Sequence, residues 1–199
     1  MIVKGSTAPL SFENSPRCRI IVGISWDPRS GKVTLVDKLR GTNQQHDLDL
    51  SCYIFDDKGN YIDYVGSMAQ DAMDESGAIY HSGDDNTGEG IGDDEAIAAE
   101  LAVLPRTTSH LIFVTEIRSD HVFEEIDSPY AHLSDSMSHA NLLEISMAKT
   151  VRDKDKKACI MLSIFRDYGA PSGWSARHID DYPDLDEISD WGTYLKRYI

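Results

Sequence analysis

The sequence predicts a mostly-β protein, an antiparallel β-sandwich carrying a C-terminal amphipathic helix. Three observations predict it. Short runs rich in β-branched and aromatic residues recur at 18–26, 33–36, 49–55, 61–65, 111–117, 142–147 and 158–165; turn residues separate them; and helical spacing is clear only in the tail.

Runs 49–55 and 61–65 flank Asp56-Asp57-Lys58-Gly59-Asn60, whose Gly and Asn tolerate positive φ, so they read as a hairpin. Residues 96–102 combine high helix propensity with Ile97, Ala99 and Leu101 at a period of two, and the pattern supports either a helix or a strand. Residues 118–141, rich in Ser, Asp and His, read as loop with one short strand at most. In the tail Leu185, Ile188, Trp191, Leu195 and Tyr198 recur at steps of three and four, and Lys196-Arg197 lie near the end, where a helix dipole favours cations. Such an apolar stripe is expected to dock on the sandwich.

The chain has 199 residues, enough for one substantial hydrophobic core. Acids outnumber bases 34 to 19, for a net charge of -15. That imbalance argues against binding nucleic acid or inserting unaided into an anionic membrane, and makes cations natural partners. No run approaches the ~20 apolar residues of a membrane span and the N-terminus lacks a signal-like apolar stretch, so a cytoplasmic location is expected. Cys18, Cys52 and Cys159 are widely spaced within apolar stretches and read as reduced core thiols.

The chemistry concentrates in two acidic clusters. His46-Asp47-Leu48-Asp49-Leu50-Ser51 alternates, placing Asp47 and Asp49 on one face of a strand about 7 Å apart and the leucines on the other. Residues 83–95 gather Asp84, Asp85, Glu89, Asp93, Asp94 and Glu95 among four glycines. Two like charges ~4 Å apart repel by about 4 kcal/mol at an effective dielectric of ~20, so such a loop calls for a neutralising cation. Calcium suits it, accepting about six to eight oxygens at flexible angles; magnesium demands a stricter octahedron, and zinc would find only His81 nearby. The loop is not an EF-hand: the obligatory turn glycine would fall at Glu89, and Ala78-Ile79-Tyr80-His81 ahead of it reads as a strand.

Three stretches, Val22-Gly23-Ile24-Ser25-Trp26-Asp27, Asp47-Leu48-Asp49-Leu50-Ser51 and Gly83 through Glu95, resemble in sequence, order and spacing the signature stretches of the TerD family of tellurium-resistance and stress proteins. The resemblance covers roughly residues 20–179. It implies a calcium-binding β-sandwich of the TerD type over 1–179, one or two calcium ions, no catalysis, and partners among other Ter proteins or a membrane-associated complex; the helical extension at 180–199, read from its own spacing, lies outside the family domain. The ligands it implies are Asp47, Asp49, Asp84, Asn86, Glu89, Asp93, Asp94 and Glu95, with Asp27 a weaker candidate. It also favours a strand at 97–101. The chain departs from the family pattern at Asp85, where Asn is usual, at Ile91, where family loops often carry Asp, and at residues 65–69.

Two rival readings use the same residues. A calcium-dependent adaptor would bridge protein carboxylates to an anionic membrane or a partner protein through the bound ion. A metal-dependent hydrolase finds little support: there is no His-Glu-x-x-His, no Gly-x-Ser-x-Gly and no phosphate-cradling loop, and the seven histidines are scattered. His46 and His81 flank the acidic clusters and read as structural hydrogen-bonders.

Overall fold

A computed structural model of the protein describes residues 1–12, 15–28, 45–147 and 155–199. Among the described residues, eleven strands form two antiparallel sheets: β1 Thr7–Pro9, β2 Arg19–Asp27, β3 Leu48–Phe55, β4 Tyr61–Val65, β5 Ile79–His81, β6 Glu95–Glu100, β7 His110–Ile117, β8 Asp127–Asp135, β9 Asn141–Ser146, β10 Ala158–Arg166 and β11 Trp174–Asp181. One sheet has the order β1-β11-β10-β7-β3-β4 and the other β5-β6-β2-β8-β9. The strand expected at 33–36 lies outside the described residues.

Period-two patterning builds the core between the sheets. Ile20, Val22, Ile24 and Trp26 of β2 face Leu48, Leu50, Cys52 and Ile54 of β3, all buried in one apolar cluster with Leu111, Phe113, Met161 and Trp174. Strands β7 and β10 read as nearly continuous apolar runs because their sheet is covered on both faces. Their alternate residues Ile112, Val114 and Ile160, with Tyr53, Phe55 and Ile179, form a second cluster on the outer face. A bulge between Ile160 and Leu162 shifts the register of β10 against both neighbours. It lets Met161 and Leu162, consecutive in sequence, both join the inner cluster.

The C-terminal segment covers that second cluster. The helix is short, Trp191–Tyr194, continues as a 3₁₀ turn at Leu195–Tyr198, and is preceded by a separate 3₁₀ turn at Leu185–Glu187. Asp190 caps it by accepting the Thr193 N–H at 3.0 Å. Leu195 is fully buried, with Trp191, Tyr194 and Tyr198 packed against the same cluster, so that part of the stripe docks on the sandwich as expected, while Leu185 and Ile188 precede the helix and lie outside the cluster. The hairpin β3–β4 also forms as expected: Asp56 Oδ1 accepts the N–H groups of Lys58 at 2.9 Å and Asn60 at 2.8 Å, and Gly59 takes φ 75°.

Two segments needed the fold to decide them. Residues 95–100 are strand β6, with Ile97 registered against both Val22 and His81, because pairing on both edges outweighs local helix propensity. The expectation of loop for 118–141 is corrected. After a 3₁₀ turn at Phe123–Glu125, β8 runs for 9 residues between β2 and β9, burying Ala131 and Leu133. Its Ser, Asp and His residues and Pro129 hide the alternation. Two flanking strands supply the hydrogen bonds and the packing that its composition does not advertise.

Candidate metal centre

β3 carries the first half of the site. Its period of two turns Leu48 and Leu50 into the core and leaves Asp49 on the outer face of the six-stranded sheet, with Asp47 just ahead of the strand. The segment joining β5 to β6 brings the second half across the end of the sandwich. Ligand oxygens of Asp47, Asp49 and Asp84 all lie within 4.8 Å of one another. They line an open groove of about 370 Å³ together with Asn86, Ser67, Met68 and Arg118.

Glu95, at the start of β6, is fully buried and holds the two halves together. Its Oε2 accepts the Leu50 N–H at 2.7 Å and its Oε1 accepts the Asp85 N–H at 3.2 Å. Strand β4 pairs with β3 only from Cys52 onward, so the Glu95 carboxylate satisfies a backbone donor that lies beyond the end of that ladder. His81 Nε2 sits 3.3 Å from Glu95 Oε2, while His81 Nδ1 accepts the Gly83 N–H at 3.0 Å. His46 is buried too, its Nδ1 3.3 Å from the Asp27 carbonyl. Both flanking histidines are structural hydrogen-bonders.

The loop's backbone is shaped by Asp85. Its Oδ1 accepts the Thr87 N–H at 2.7 Å, the Thr87 hydroxyl at 2.9 Å and the Gly88 N–H at 3.1 Å. Burial opposes ionisation of Asp85, but these three donors together outweigh it and hold the carboxyl below its ordinary range. Gly88 has φ +66° and leaves no room for a side chain: a Cβ there would meet Trp26 Nε1 at 2.5 Å and the Trp26 carbonyl at 2.8 Å. Trp26 thus lies directly beneath the loop, and its Nε1–H donates to the His46 carbonyl at 3.2 Å, beside Asp47.

The eight residues predicted as ligands separate into distinct places. Asp47, Asp49, Asp84 and Asn86 share the groove, with the Asn86 amide donating to Asp84 Oδ2 at 2.8 Å. Glu95 is turned to the backbone donors just described. Asp94 Oδ2 accepts the Trp26 N–H at 2.9 Å and, with Glu89 and Asp27, lines a second pocket on the other side of the loop. Asp93 pairs with His132 at 2.8 Å over Gly23, where a Cβ would lie 2.4 Å from its carboxyl carbon.

The electrostatics single out Asp47. Burial first, then the charges of Asp49, Asp84 and Glu95, push its carboxyl up to about 6, with Arg118 pulling the other way. Its Oδ1 is buried and accepts no hydrogen bond among the described residues. Three converging carboxylates, one with an orphaned oxygen, fit a hard oxygen-seeking divalent cation. Burial also raises Asp94 despite its bond from Trp26.

Sequence reasoning missed Arg118. Its Nε donates to Asp49 Oδ2 at 2.7 Å, and its NH2 group lies 3.3 Å from Glu116 Oε2. The signal lay in register alone: Asp49 stands directly opposite Glu116 across the β3–β7 ladder, and two acids so placed need a cation between them.

The TerD domain model matches residues 1–181. The chain is 30% identical to tellurium resistance protein TerZ of Serratia marcescens over 168 residues, covering 84% of this chain and 83% of that protein. It is 30% identical to stress response protein SCP2 of Bacillus subtilis, covering 72% and 75% respectively. The fold superimposes on the crystal structure of a homologue of telluride resistance protein (TerD) from Streptomyces coelicolor with TM-score 0.65 at 19% identity, over 89% of this chain and 94% of that one. With its signature stretches assembled around one end of a two-sheet sandwich, this chain belongs to the TerD domain family.

Proposed function

We propose that this protein is a non-catalytic, cytoplasmic, calcium-binding stress-response protein like the TerD-type tellurite-resistance proteins it resembles, with Asp47, Asp49 and Asp84 as the principal ligands and Asn86 beside them. The observation that carries this reading is the convergence of three carboxylate oxygens within 4.8 Å, one of them on a carboxyl with an orphaned buried atom. Calcium supplies the positive charge that holds the loop against β3. The names of the relatives, tellurium resistance and stress response, support the physiological setting. Glu89, Asp94 and Asp27 form a candidate second cation position beside Trp26. In this reading its partners are other Ter-family proteins or a membrane-associated complex.

Calorimetric titration of chelator-treated protein tests it. Calcium should bind at micromolar to millimolar concentration and raise the melting temperature, the gain being about 2.7 kcal/mol at a hundredfold excess over Kd. Asp49→Ala and Asp84→Ala should weaken binding, whereas Asp57→Ala, in the β3–β4 turn, should not. Absence of heat with an unchanged melting temperature removes the reading.

A calcium-dependent adaptor is the second reading, favoured by Ile91, fully exposed between Gly90 and Gly92, and by Met68, 63% exposed at the groove. Co-sedimentation with anionic vesicles in calcium but not in chelator would support it, and Ile91→Ser should weaken that binding.

A further inference from the structure

The groove and the C-terminal helix are joined by an unbroken run of polar contacts. Asp49, Ser51 and Tyr53 share the outer face of β3, and the helix lies over the far end of the same face, with Trp191 6.0 Å from the Tyr53 ring. The Trp191 Nε1–H donates to Glu116 Oε1 at 2.9 Å. Glu116 Oε2 meets Arg118 at 3.3 Å, and Arg118 Nε donates to Asp49 Oδ2 at 2.7 Å. Glu116 is largely buried, so its carboxylate has little water to fall back on and is committed to these two partners. Arg118 is half exposed at the mouth of the groove and free to shift its donors between two acids.

From this we infer that Arg118 is a latch that couples cation occupancy of the Asp47–Asp49–Asp84 groove to the seating of the C-terminal helix through Glu116 and Trp191. The inference rests on the calcium reading given above. A divalent cation and a guanidinium compete for Asp49, and like charge repels the guanidinium from the filled groove. Arg118 then gives more of its hydrogen bonding to Glu116, whose hold on the Trp191 indole weakens. Coupling of this kind is reciprocal: whatever loosens Trp191 from Glu116 lets Glu116 take Arg118 and eases cation entry. Trp191, 142 residues from Asp49 in sequence, thereby reports on the site.

The test follows indole N–H resonances in proton–nitrogen spectra of the full chain during calcium titration, beside calorimetry. The chain has 3 tryptophans, and Trp191→Phe assigns the resonance in question. Trp26, beneath the loop, serves as the internal record that calcium has bound. In the wild type, calcium should move both the Trp26 and Trp191 indoles. In Arg118→Gln, calcium should still bind and move Trp26 but leave Trp191 still. Trp191→Phe, which keeps an aromatic ring and loses the N–H, should bind calcium about fivefold tighter, at the low end of typical coupling between sites. A Trp191 resonance that stays fixed in the wild type while heat is recorded overturns the latch and leaves the metal site standing, as does a shift that persists in Arg118→Gln or an unchanged affinity in Trp191→Phe. Absence of heat with both indoles unmoved overturns the metal site and the latch with it.

Discussion

Glu95 reaches from the first position of β6 to the Leu50 N–H of β3, an acceptor at 2.7 Å with no exposure to solvent. One side chain thereby joins the two sheets at the end where the acidic loop crosses. Replacing it with Ala should leave the Leu50 and Asp85 donors buried without a partner, at a cost of about 2–4 kcal/mol. Urea denaturation should show that loss as a lower midpoint with an unchanged slope. Calcium affinity should fall as well, because the carboxylates lose their common frame.

Asp47 predicts the pH dependence. Its folded pKa, about 6, lies above the unfolded value of 3.8, so the folded chain holds this proton more tightly. The stability contributed by that protonation is full below 3.8 and is lost as pH rises through about 6. Asp47→Asn should therefore stabilise the calcium-free protein near pH 7.5, by no more than about 1 kcal/mol because the group is half exposed and screened. Little change is expected at pH 4, and in excess calcium the same variant should be the less stable one. Calcium affinity of the wild type should drop as pH is lowered through about 6, where protons compete for Asp47. Thermal melts with and without calcium across that range check both signs.

Gly88 sits where backbone and packing both forbid a side chain. Its positive φ and the Trp26 atoms at 2.5–2.8 Å from a notional Cβ mean that Gly88→Ala must displace either the loop or the indole. A cost of about 1–3 kcal/mol is expected. Altered Trp26 emission and weaker calcium binding should accompany it.

The outer cluster predicts that the tail is part of the cooperative fold. Leu195→Ala removes a fully buried side chain from beneath Trp191 and Tyr53 and should cost about 2–4 kcal/mol, near 5–10 °C in Tm for a domain of this size. Differential scanning calorimetry should show one transition at lower temperature. Two separate transitions would mean that the tail is energetically independent of the sandwich.

Local patterns carried much of this molecule. Alternation in β2 and β3 exposes one apolar face to the eye, and the Asp56–Asn60 turn announces its hairpin. The acidic loop between strands is visible because glycines and carboxylates rarely crowd so closely without a task. Strand β8 is hidden because its pairing with β2 and β9 is non-local, and the local pattern of β6 is ambiguous because alanine suits a helix when no neighbouring strand is known; there the family resemblance points to the strand that forms.

The sequence by itself determined which side chains were available: a β-rich core, a docking stripe in the tail, and carboxylates gathered in two short stretches. Only the tertiary structure decided how they are shared out. Antiparallel register set Asp49 against Glu116 and made Arg118 their common partner, and the crossing of the loop sent Asp84 to the groove while Glu95 went to the interior. The physical reason is distance along the chain. Periodicity reports the face of an element, whereas the partner of a charge is chosen by strands that meet only after folding.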